Sequence, residues 1–72
     1  MNKLYFKADV YVRQLSACNY VIGTERYGVS NEMSGYISIA DTARDLVPLV
    51  DNMSLCAVKQ MILLNCTCLE TQ

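Results

Sequence analysis

Leu4-Tyr5-Phe6-Lys7-Ala8-Asp9-Val10-Tyr11-Val12-Arg13 alternates without a fault. Leu4, Phe6, Ala8, Val10 and Val12 fall on one side of an extended chain. Tyr5, Lys7, Asp9, Tyr11 and Arg13 fall on the other. Successive side chains of a strand point to opposite faces, so the stretch predicts a strand with one core face and one wet face.

Working outward, residues 14 to 19 make a short connection, and Tyr20-Val21-Ile22 marks a second strand over about Cys18 to Thr24. A hairpin with the first strand is the natural pairing. Glu25 to Gly35 holds Gly28, Ser30, Asn31, Ser34 and Gly35 with no clean period, which reads as a loop or a frayed strand extension. Tyr36 to Ile39 forms a third short strand. The three strands make an antiparallel sheet with one face wanting cover.

A helix supplies that cover. Asp41 caps a helix entering at Thr42, with Leu46, Val47, Leu49 and Val50 as its apolar stripe. Pro48 removes a backbone bond and clashes with the preceding turn, so this helix kinks, or ends near Leu46 and restarts. Ser54 caps a further turn or two through Gln60. Beyond Met61, Ile62, Leu64, Cys66 and Cys68 alternate with Leu63, Asn65, Thr67 and Leu69, which reads as a last strand. A helix from Leu55 to Asn65 is the rival reading. The expectation is a single α+β domain over 1–72 with two layers: an antiparallel sheet in the order β-β-β-α-β, covered on one face by a kinked or broken helix.

Composition narrows the function. Hydrophobic residues make up 53% of the 72 residues and charged residues 18%, which is rich in apolar groups for so small a body. A domain near this size buries only about 60% of its unfolded surface, so part of that apolar content reaches the outside and favours docking or self-association. The net charge is −1, and Lys3, Lys7, Arg13, Arg26, Arg44 and Lys59 are scattered among acids. Nucleic-acid binders concentrate positive charge on one face, so direct nucleic-acid binding is not expected. The longest aliphatic run, Met61 to Leu64, is far below a membrane span, and the first residues lack a signal-peptide core; a cytoplasmic protein without a membrane partner is expected.

Catalytic chemistry has little to stand on. There is no histidine, Gly23, Gly28 and Gly35 are isolated, and Asp41 with Asp45 reads as a cap beside a solvated acid. The four cysteines, Cys18, Cys56, Cys66 and Cys68, contain no Cys-x-x-Cys, and three or four of them read as buried, reduced thiols. Neither enzyme activity, nor a cofactor, nor a metal is expected.

Tyrosine is the better lead. Tyr5, Lys7, Asp9, Tyr11 and Arg13 share the wet face of the first strand, and tyrosines flanked by charge are common anchors at protein interfaces. Arg26, Tyr27, Val29 and Met33 display aromatic, aliphatic and charged groups on a glycine-flanked segment, a second candidate surface. The functional expectation is a non-enzymatic inhibitor or modulator that occupies a surface on a larger protein complex. Small size, near-neutral charge and missing chemistry suit the proteins that phages and mobile elements direct at host defence (anti-CRISPR-like). The alternative is a self-associating structural subunit, a homodimer sealed by an edge strand or by Leu63 to Leu69.

Overall fold

The N-terminal alternation belongs to two strands, not one. The structure, a computed structural model, describes residues 3–65. Strand β1 is Lys3–Lys7 and β2 is Val10–Ser16, with Ala8 and Asp9 turning between them. Leu4 faces Val12 and Tyr5 faces Tyr11 across the pair. Opposed residues of an antiparallel pair share a face, and these pairs share odd or even numbering. The sequence alternation therefore continues on the same parity past the turn and hides it, although the pairing shifts register between Tyr5 and Lys7.

Strand β3 is Asn19–Arg26 and β4 is Val29–Tyr36, and the four strands form one antiparallel sheet in the order β1-β2-β3-β4. The segment from Glu25 to Gly35, expected as a loop or a frayed strand extension, is thus the end of one strand and most of another. Tyr27 and Gly28 join them with φ of 53° and 79°. Such paired left-handed residues match the twist of a tight hairpin, and glycine adopts the conformation at no steric cost.

The third strand expected at Tyr36 to Ile39 is displaced. Strand β4 stops at Tyr36, and Ser38, extended at φ −138° and ψ 155°, caps helix α1, Ile39–Leu46. Its hydroxyl accepts the Asp41 N–H at 3.0 Å. The cap is therefore Ser38 rather than Asp41. Asp41 instead lies in the first turn, where the helix dipole favours an acid, and pairs with Arg44 at 2.9 Å.

Pro48 acts as expected: α1 gives way to a 3-10 turn over Val47–Leu49. Helix α2, Leu55–Asn65, follows, and its first free N–H groups include that of Ala57, which donates to the Ser54 hydroxyl at 3.1 Å. The expected last strand is absent over its described part. Val58 and Ile62, four apart, are fully buried while Leu64 is 76% exposed, which is helical spacing. Residues 66–69 of that expected strand lie outside the described residues.

The core joins Val10, Val12, Tyr20 and Ile22 of the sheet to Ile39, Ala43, Leu46, Val50, Val58 and Ile62 above it. Phe6, Tyr36, Val47 and Met53 pack against its margin. Helix α1 packs on β3 and β4, and α2 packs on α1. The α+β class with one covered face is as expected; the order over the described residues is four strands and then two helices. The cysteine expectation is corrected as well. Cys18 lies exposed in the β2–β3 turn and Cys56 exposed on α2, because α2 buries only a narrow stripe.

Candidate functional site

The face of the sheet away from the helices carries Lys3 and Tyr5 of β1, Tyr11 and Arg13 of β2, Val21, Gly23 and Glu25 of β3, and Ser30 and Glu32 of β4. Tyr11 stands opposite Gly23 and its ring lies over that bare backbone; a Cβ at position 23 would overlap the ring. The tilted Tyr5 ring, centred 5.5 Å away, and the Lys3 ammonium, 4.7 Å from the ring centre, cover Tyr11 further. Tyr11 is consequently buried on a face to which none of the described helices adds a second layer.

Around that ring the charges are closed upon one another. Arg13 donates to both oxygens of Glu32, from Nη2 at 2.6 Å and from Nε at 3.1 Å. The Tyr11 hydroxyl donates to the same carboxylate at 2.5 Å. Lys3 Nζ lies 3.5 Å from Glu25, which also accepts from the Tyr5 hydroxyl. Donation from Arg13 and then from Tyr11 holds the Glu32 carboxyl down at about 2. Burial and then the Glu32 bond push the Tyr11 hydroxyl up, whereas for Tyr5 the bond to Glu25 comes first. This is a bidentate clamp that also takes up the Tyr11 hydroxyl, a cover for the sheet rather than a set of free donors.

The wet-face candidates are therefore dispersed. Tyr5 and Arg13 meet on the open face but serve Glu25 and Glu32. Tyr11 is buried and offers no contact surface. The register shift between Tyr5 and Lys7 breaks the face, and Lys7 pairs with Asp51 at 3.6 Å beyond the 3-10 turn. Asp9 sits in the β1–β2 turn, where its carbonyl accepts the Glu25 N–H at 2.8 Å and its carboxylate the Arg26 Nε at 3.3 Å.

The second group stays together. Arg26 closes β3, Tyr27 crowns the turn, and Val29 and Met33 lie on β4. Met33 faces Ile22 and Val29 faces Arg26, which places both on the helix side of the sheet but beyond the helices' cover. Tyr27 is completely exposed, Val29 62% and Met33 58%. Strand β4 is also an outer edge, with no further strand beside it among the described residues and Glu32 its only charged residue. Lys3, Gly23, Glu25 and Glu32, which hold the open face together, escape a reading of the sequence because they meet only across strands.

Among the described residues no group of three or more His, Cys, Asp or Glu could hold a metal ion, and no helix is long and apolar enough to cross a membrane. Comparison of the chain with protein-family models, with curated proteins and with solved structures finds no match to any of them.

Proposed function

We propose that this chain is a non-enzymatic protein-binding module that docks the β3–β4 hairpin and the free edge of β4 on a larger protein, as an inhibitor or modulator. One observation carries the reading. Tyr27 is wholly exposed on a turn whose left-handed φ of 53° is rare for a side chain of that size, beside exposed Val29 and Met33. A large aromatic displayed at a hairpin tip offers broad contact area through only two side-chain torsions, which is the usual character of an interface anchor. The exposed thiols of Cys18 and Cys56, free among the described residues, suit a reducing compartment, and a cytoplasmic location is part of the proposal.

The test is comparative capture. Tagged wild type and Tyr27→Ser/Val29→Ser protein are expressed in the source cells, cross-linked and purified in parallel. A protein retained by wild type and lost by the double variant, with both baits unfolding at the same urea midpoint, is the expected result. Identical retention by the two baits overturns the reading.

A further inference from the structure

The two edges of the sheet are built differently. Strand β1 is five residues long, begins and ends in lysine, and shifts register between Tyr5 and Lys7. Short length, lysine and irregularity are the usual means by which an edge is kept from pairing with other chains. Strand β4 is eight residues long, Val-Ser-Asn-Glu-Met-Ser-Gly-Tyr, with neither lysine nor proline; its register against β3 is unbroken from Val29 to Met33 and shifts only beyond Met33. Its one charge, Glu32, is drawn onto the open face and neutralised by Arg13 at 2.6 Å.

The sequence of β4 is complementary to itself. Two strands related by a twofold axis normal to the sheet run antiparallel, and each residue meets one of the same face. With the axis at Asn31, Val29 of each copy meets Met33 of the other on the helix side. Ser30 meets Glu32 on the open face, and the two Asn31 amides meet each other. The apolar side chains left exposed on this strand are thereby paired, and no like charges are opposed.

Backbone geometry agrees with that register. The two-residue turn makes Arg26 and Val29 a hydrogen-bonded pair, and alternation makes Thr24–Asn31 and Ile22–Met33 the next ones. Ser30 and Glu32 then direct their N–H and C=O groups outward. These are the residues that exchange backbone bonds in a twofold pair centred on Asn31. An axis at Glu32 instead opposes two carboxylates, and an axis at Ser30 sets Val29 against Asn31.

We infer that in the absence of another partner the β4 edge is covered by a second copy of this chain, joined strand to strand about Asn31 into one continuous eight-stranded antiparallel sheet. This rests on the reading of the β4 edge as the docking surface, and it makes partner binding compete with self-pairing.

The purified chain is followed by analytical ultracentrifugation across a micromolar dilution series, in reductant. Wild type is expected to be a dimer that dissociates on dilution. Asn31→Lys, which sets two ammonium groups face to face on the axis, should raise the dissociation constant by at least about tenfold with an unchanged circular dichroism spectrum. Asn31→Cys provides a second readout that does not depend on stability. On mild oxidation its chains should cross-link through position 31, located by peptide mapping, because opposed residues of a non-hydrogen-bonded pair lie within disulfide reach. A wild type that is monomeric throughout overturns the inference, as does a dimer indifferent to Asn31→Lys or not cross-linked through position 31. A monomeric wild type leaves the docking reading standing, since that is judged by capture with the Tyr27→Ser/Val29→Ser bait.

Discussion

Gly23 and Tyr11 decide each other. The Tyr11 ring occupies the space where any side chain at position 23 would begin. Gly23→Ala must push the ring aside, lifting its hydroxyl from Glu32 and uncovering the strand below. Overpacking of this kind costs about 1–3 kcal/mol, to be read as a lower urea midpoint. Tyr11→Phe keeps the ring and loses only the bond to Glu32, at about 0.5–1.5 kcal/mol. If Gly23→Ala proves as stable as wild type, the ring does not lie where the structure puts it. Sequence alternation puts Tyr11 correctly on the polar face, but a polar face is not always an exposed one. What buries Tyr11 is a glycine twelve positions on and a carboxylate further still, and only strand register brings those three together.

Among the elements, α2 shows why a local pattern can support two answers. Ile62 and Leu64 alternate like strand residues, while Val58 and Ile62 are spaced like one face of a helix. Neither period is stronger over so short a run, and the packing of α2 on α1 settles the matter. The two answers differ in energy: on a strand Ile62 and Leu64 share an environment, and on the helix they do not. Ile62→Ala should cost about 2–5 kcal/mol, the range for emptying a filled core position. Leu64→Ala should stay within about 0.5 kcal/mol, as surface changes do. Equal losses at the two positions would restore the strand. The β3–β4 hairpin was illegible for another reason: glycine and serine broke the apolar period, although Ser30 and Glu32 still alternate with Val29 and Met33. That alternation and the Tyr27-Gly28 turn were the signal available. By contrast Pro48, through its ring, and Ser54, through its hydroxyl, act on backbone groups within a few residues of themselves, so the sequence alone predicts both.

At the scale of the whole molecule, helices guard one face of the sheet and charges the other, so acid should act on the second first. The Glu32 carboxyl titrates at about 2 in the fold, against an ordinary 4.5. Between those values the unfolded chain binds a proton that the folded chain does not, so stability rises with pH across that window. The contribution of Glu32 is complete above 4.5 and is lost as the pH falls through about 2. The tyrosines set the opposite limb. Tyr5, Tyr11 and Tyr36 are all raised above 10.0, Tyr36 by burial and by its bond to Asp45 at 2.8 Å. The fold keeps their protons where the unfolded chain sheds them, so their contribution is whole below 10.0 and is lost as the pH climbs through their folded values. Urea midpoints measured against pH should therefore describe a plateau with an acid and an alkaline shoulder. Glu32→Gln assigns the acid shoulder: it should lower the plateau, because Arg13 loses its charged partner, and flatten the slope between pH 4.5 and about 2. An undiminished acid slope in that variant would place the titrating group elsewhere and remove the clamp from the account of how a single-layered face stays closed.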